Sequence, residues 1–109
     1  MNLDIRMDPP SVSLDDSVTL TCNAIGQQRV NFEWRKANGE LPQNSQILQG
    51  GKVLRISRVS TNSGGRYICV ATTPRGSYMK EIALTIQSKL SLKTIYNYYF
   101  SNFIKFFLF

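Results

Sequence analysis

Residues 61–71 read Thr-Asn-Ser-Gly-Gly-Arg-Tyr-Ile-Cys-Val-Ala. Two glycines break the chain, and from Arg66 onward the residues alternate. Tyr67, Cys69 and Ala71 fall on one side, and Arg66, Ile68 and Val70 on the other. A repeat of two with one apolar side is what an antiparallel strand needs to cover a core with one face and meet solvent with the other. Outward from this stretch the pattern recurs. Val18, Leu20 and Cys22 alternate with Thr19 and Thr21, and Val30, Phe32 and Trp34 alternate with Asn31, Glu33 and Arg35. Leu54 and Ile56 flank Arg55, Val12 and Leu14 flank Ser13, and Ile82, Leu84 and Ile86 share one side of a last strand.

The connections carry turn chemistry: Asn38-Gly39, Gly50-Gly51, Gly64-Gly65 and Pro74-Arg75-Gly76. No stretch before residue 88 keeps a helical period. The chain is therefore expected to be all-β. Cys22 and Cys69, the only two cysteines, both sit at inward positions, and Trp34 follows Cys22 by twelve positions. Two inward sulfurs on different strands beside a large ring suit a bridge that pins two sheets face to face. In a reducing compartment they would instead be buried free thiols.

Composition narrows function. Histidine is absent from the 109 residues, which removes the commonest metal ligand and the commonest general base near neutral pH. Asp15-Asp16 lacks a third ligand for a cation, and Glu33, Glu40 and Glu81 have no partner for acid–base work. No catalytic, cofactor-binding or metal-binding residue is expected, and no cofactor. The net charge of +6 contains no Lys/Arg run, so nucleic acid is not an expected partner. Arg29, Arg35, Lys36, Lys52, Arg55, Arg58, Arg66 and Arg75 are divided between opposite faces. They make a sulfated glycan a secondary candidate partner rather than the leading one.

The pieces Cys22, Trp34, Leu54-x-Ile56-x-x-Val59 and Gly65-x-Tyr67-x-Cys69 together resemble the immunoglobulin superfamily, in particular its I-set. The resemblance implies an immunoglobulin-like antiparallel β-sandwich with one inter-sheet disulfide, Cys22–Cys69. It also implies a structural core holding Trp34, Tyr67, Leu54 and Ile56, with Tyr67 forming a tyrosine corner. The family usually has an aspartate where this chain has Ser63, and its loss is expected to weaken the domain slightly. The longer run Trp34-Arg35-Lys36, Gly39-Glu40-Leu41-Pro42, Leu54-Arg55-Ile56 and Gly65 to Cys69 is similar to the Ig repeats of perlecan-type basement-membrane proteoglycans.

Three segments are expected: an N-terminal extension over 1–8, the Ig-like domain over 9–87, and an aromatic, basic tail over 88–109 outside the fold. Thirteen of the sixteen residues from Thr94 to Phe109 are Phe, Tyr, Ile, Asn or Lys. The tail reads like translated AT-rich sequence, and Lys93, Asn97, Asn102 and Lys105 break any membrane span, so membrane contact through it is not expected. The first seven residues include Asp4 and Arg6 and do not read as a secretory signal. The chain is accordingly expected to be a fragment of a larger extracellular protein.

Outward parity singles out one surface. Ile68, Val70, Met79 and Ala83 are apolar residues on the solvated side of the sheet that also carries Glu33, Arg35 and Arg66. Apolar residues so placed mark a docking face. The expected function is a non-catalytic, extracellular binding and spacing module of a matrix or cell-adhesion protein. Its expected partners are neighbouring Ig domains or matrix and adhesion proteins. The alternatives are an intracellular I-set module of a giant muscle scaffold and a receptor ectodomain.

Overall fold

The computed structural model describes residues 1–26, 29–88 and 99–101. The expectation for the tail falls largely outside these residues. Among them run nine strands: β1 (Asn2–Asp8), β2 (Val12–Ser13), β3 (Val18–Ile25), β4 (Asn31–Lys36), β5 (Ser45–Leu48), β6 (Val53–Ile56), β7 (Gly65–Thr73), β8 (Gly76–Leu84) and β9 (Ile86–Gln87). One sheet has the order β1-β3-β6-β5 and the other β4-β7-β8, all antiparallel, and the short β2 pairs parallel with β9. The result is an immunoglobulin-like sandwich.

The alternating residues build its core. Val18, Leu20 and Cys22 of β3, Leu54 and Ile56 of β6, Trp34 of β4, and Tyr67, Cys69 and Ala71 of β7 are all buried. Cys22 and Cys69 form a disulfide, with an S–S distance of 2.06 Å and Cα atoms 6.4 Å apart. It joins β3 to β7, an interior strand of each main sheet. The Trp34 indole N–H donates to the Lys52 carbonyl at 3.2 Å, and the Cys22 amide donates to the same oxygen at 3.0 Å. One backbone oxygen thus ties both sheets beside the sulfurs. Gly51, at φ +99°, stands so close to β4 that an added Cβ would collide with the Phe32 carbonyl oxygen. Only glycine fits there without backbone strain.

The tyrosine corner closes one end of the sandwich. Tyr67 is fully buried, and its hydroxyl donates to the Ser63 carbonyl at 2.5 Å. Ser63 is itself buried, and its hydroxyl accepts the Ser60 N–H at 3.0 Å as half of a capping box around the 3-10 turn Thr61–Ser63. The serine that replaces the family's aspartate therefore holds the corner by a local hydrogen bond.

Two expectations need correction. The N-terminal boundary lies at Asn2 rather than Pro9, because residues 2–8 pair with β3 over their whole length, from Asn2↔Ile25 to Asp8↔Thr19. Leu3, Ile5 and Met7 turn toward the core while the charges of Asp4 and Arg6 stay on the outer side, and the Lys80 ammonium donates to the Leu3 carbonyl at 3.0 Å. The last strand is also not continuous: β8 stops at Leu84, and Ile86 resumes in β9 opposite Val12. Strand β5 carries no alternating signal. It is held by register with β6 and by Asn44, whose side-chain amide donates to the Ser57 carbonyl while the Ser57 N–H donates to the Asn44 carbonyl at 3.1 Å.

Two outcomes follow from this framework. Replacing Cys22 and Cys69 with alanine opens a loop of 47 residues, which on the chain-entropy model lowers stability by about 4 kcal/mol, read as a fall in the urea midpoint. Burial pushes the Tyr67 hydroxyl up to about 12, against ~10 in the unfolded chain. A raised folded value means the neutral phenol is the favoured native form, so its contribution is complete below pH ~10 and lost as pH rises toward 12. Tyr67→Phe is expected to cost about 1–3 kcal/mol at neutral pH, by stranding the Ser63 carbonyl, and to flatten the stability loss between pH 10 and 12. An unaltered pH profile in that variant would assign the alkaline loss to another group.

Candidate functional site

The surface in question is the outer side of the β4-β7-β8 sheet, and strand register fixes its layout. Across β4, β7 and β8 the outward residues align in rows: Asn31, Thr72 and Ser77; then Glu33, Val70 and Met79; then Arg35, Ile68 and Glu81. A fourth row holds Arg66 beside Ala83, with the Ala37 N–H donating to the Arg66 carbonyl at 2.9 Å. An apolar strip of Ile68, Val70, Met79 and Ala83 therefore lies among Glu33, Arg35, Arg66 and Glu81.

These residues differ in depth. Met79 is 69% exposed, Ala83 is exposed, and Ile68 is half-buried. Val70 is only 8% exposed. Its outward parity holds, but little of it is accessible, so it contributes mainly to packing and offers a partner only its outer edge. Ile68, Met79, Lys80 and Glu81 border a shallow recess of about 290 Å³.

The charges on this face are paired internally. Arg35 donates from Nε and from one terminal nitrogen to the two carboxylate oxygens of Glu33, at 3.2 and 3.1 Å, in the two-pronged geometry that guanidinium and carboxylate favour. The hydrogen bonding to Glu33, and then that residue's charge, raise the Arg35 pKa above its ordinary value. Arg66 and Glu81 approach to 3.7 Å across the β7–β8 ladder. Both pairs are more than half exposed, and exposed pairs contribute little to stability. Their consequence is a locally neutral face. A polyanion would have to compete with Glu33 and Glu81 for the two arginines there.

The other charged candidates lie elsewhere. Arg55 is exposed on the opposite sheet, in register with Thr19 and Gln46. Arg29 borders an open hollow of about 490 Å³ at the end of the sandwich, with Val30, Asn31, Thr72, Thr73 and Pro74. Lys36 donates to the Asn62 carbonyl at 2.7 Å. Asp16 is occupied within its turn, accepting the Ser13 N–H at 3.0 Å. Among the described residues no group of three or more Cys, Asp or Glu is placed to hold a metal ion. No helix among them is long and apolar enough to cross a membrane.

Sequence reasoning brought Ile68, Met79, Arg35 and Arg66 to one surface but did not put Glu81 there. Its signal was present, since Met79, Glu81 and Ala83 alternate along β8. The pairing with Arg66 comes only from register.

Comparison with known proteins agrees with this architecture. The family model of the immunoglobulin domain matches residues 4–73. The cell surface glycoprotein MUC18 of Rattus norvegicus is 40% identical over 73 residues, which make up 65% of this chain and 10% of that protein. The basement membrane-specific heparan sulfate proteoglycan core protein of Mus musculus is 29% identical over 92 residues, 84% of this chain and 2% of that protein. The chain thus spans a tenth or less of the length of these relatives. The ectodomain of mouse nectin-like molecule 4 shares the fold with a TM-score of 0.73 at 22% identity, over 81% of this chain and 30% of that one. The relatives it matches thus include a cell surface glycoprotein and a basement membrane proteoglycan core protein, and the chain belongs to the immunoglobulin domain family.

Proposed function

We propose that the chain is a non-catalytic, extracellular binding and spacing module of a matrix or cell-adhesion protein built from several Ig domains, with the outer β4-β7-β8 surface as its protein-docking face. The I-set assignment and the fragment reading belong to this proposal. The observation that carries it is the middle of this face, where Met79, Ala83 and part of Ile68 are exposed together within a ring of neutralised charge. The middle of the β1-β3-β6-β5 sheet carries Thr19, Thr21 and Arg55 instead, and its exposed apolar residues, Ile25, Ile47 and Leu48, lie at the end of β3 and on the edge strand β5. A half-apolar patch with a polar rim is the composition of a protein interface.

Two further features support the reading. A closed Cys22–Cys69 bond suits an oxidising compartment and argues against the intracellular muscle-scaffold alternative. The ends of the sandwich suit a spacer. Strand β1 begins beside Ile25, at the pole of the Gly26 turn, and β9 ends beside Ser13, next to the Asp15-Asp16 turn at the other pole. The eight residues of β3 between these poles span roughly 25 Å. The pairing of Arg35 with Glu33 and of Arg66 with Glu81 favours a protein over a sulfated glycan on this face.

The reading is tested by immobilising the oxidised chain and measuring attachment of cultured cells. Ile68→Asp/Met79→Asp is expected to reduce attachment about tenfold or more while keeping the melting temperature near that of the parent chain. Asn23→Asp/Gln46→Asp, on the opposite face, is expected to leave attachment unchanged. Equal effects of the two pairs would refute the assignment of the face.

A further inference from the structure

We infer that this face takes a second copy of the same chain, docked antiparallel about a two-fold axis that crosses the strands midway between the Glu33 row and the Arg35 row. The inference rests on the docking-face reading and names its occupant.

Register supplies the geometry. The four outward rows are Asn31–Thr72–Ser77, Glu33–Val70–Met79, Arg35–Ile68–Glu81 and Ala37–Arg66–Ala83. A two-fold axis in the plane of the face, perpendicular to the strands, lays each strand over its own copy running the other way. The second row then meets the third, and the first meets the fourth. Glu33 faces the partner's Arg35, and Arg35 faces the partner's Glu33. Val70 and Ile68 meet in the middle column, Thr72 receives Arg66, and Asn31 and Ser77 meet the small side chains of Ala37 and Ala83. Met79 lies over Glu81, which keeps its own Arg66 beside it.

No like charges are brought together, and the isologous arrangement uses one patch twice, as a closed two-fold dimer requires. The other simple choice, an axis along β7, sets Arg66 on the partner's Arg66 and Ile68 on Ile68. Juxtaposed like charges oppose that arrangement. The Glu33–Arg35 pair of each copy is thus able to exchange partners with that of the other without loss of charge balance. That exchange fixes orientation more than it adds affinity.

The patch is small. Three strands ~4.8 Å apart and four rows ~6.8 Å apart, widened by side chains, offer about 400 Å² per copy. Stable complexes bury about 800 Å² per partner. Association of single modules is therefore weak, of the kind that repeats in a multi-module chain would sum by multivalency.

The test is sedimentation equilibrium of the full oxidised chain from about 10 μM to 1 mM, at physiological salt. The parent chain is expected to dimerise in that range. Glu33→Arg and Arg35→Glu, each alone, set like charges face to face and are expected to weaken self-association at least about tenfold. An equimolar mixture of the two variants is expected to recover a heterodimer, because a chain with arginine at both positions then meets a chain with glutamate at both. The double exchange Glu33→Arg/Arg35→Glu keeps the intrastrand pair and is expected to dimerise as the parent does, which separates loss of the interface from loss of the fold. A parent chain that stays monomeric to 1 mM overturns the inference. So does a dimer indifferent to both reversals, the behaviour expected of association through the aromatic tail. A monomeric chain whose cell attachment still depends on Ile68 and Met79 would overturn the second-copy inference and leave the docking face standing; loss of that dependence would remove both.

Discussion

Everything in this domain is arranged around the bond between Cys22 and Cys69. Each sulfur hangs from an interior strand of its sheet, β3 with β1 and β6 beside it, and β7 with β4 and β8. Fixing the separation of those two strands fixes the separation of the sheets, and side chains of both inner faces must fill the gap to crystal-like density. Trp34 fills the space beside the sulfurs, and its indole N–H shares the Lys52 carbonyl with the Cys22 amide. A small domain buries a limited apolar area, so a covalent link across its centre spares the core from carrying the whole entropy of folding. Tyr67, two positions before Cys69, anchors the same strand at its end through Ser63.

This explains which parts of the fold were legible in the sequence. Inward side chains must alternate, turns need Gly or Asn, and the cysteines and tryptophan can serve a sandwich core only at inward positions. The strands around Cys22, Trp34, Ile56 and Cys69 therefore announce themselves. Strand β1 also alternates, Leu3, Ile5 and Met7 against Asp4, Arg6 and Asp8, but three charges in seven residues and the following Pro9-Pro10 disguise it as an extension. Strand β5 has no such pattern because Ile47 and Leu48 stay largely exposed at a sheet edge, where pairing to β6 rather than burial creates the strand. Local patterning cannot show an element that exists only through its neighbour.

The candidate face shows the same limit one level up. Parity assigns a side chain to a side of a sheet, and it placed Ile68, Val70, Met79, Arg35 and Arg66 on one side together. Depth depends on what stands next to a residue across the sheet, and that is a matter of register. Val70 and Ile68 share outward parity on β7, yet Val70 is buried and Ile68 only half-buried. Glu81 belongs to the face because β8 runs beside β7 with Ile68 opposite it. The absent aspartate is a third case. Sequence comparison with the family marks a missing ion pair, whereas the capping box of Ser60 and Ser63 is visible only when the turn is built.

Net charge gives the least reliable account of this surface. A formal +6 suggests a chain that seeks polyanions and repels its own copies. The two effects act over different ranges. Repulsion between whole molecules is a long-range term, screened beyond ~8 Å at physiological salt. Recognition across a docked face is decided within a few ångströms, where Glu33 and Glu81 already neutralise Arg35 and Arg66. Of the other basic side chains, Lys80 borders the recess but donates to the Leu3 carbonyl, Lys36 donates to the Asn62 carbonyl, and Arg55 and Arg29 lie on the opposite sheet and at a pole. They therefore set solubility and encounter rate rather than orientation. A surface that is neutral where it is apolar, and charged where it is polar, is suited to contact with another folded protein. In this domain that property follows from the residues that register sets side by side.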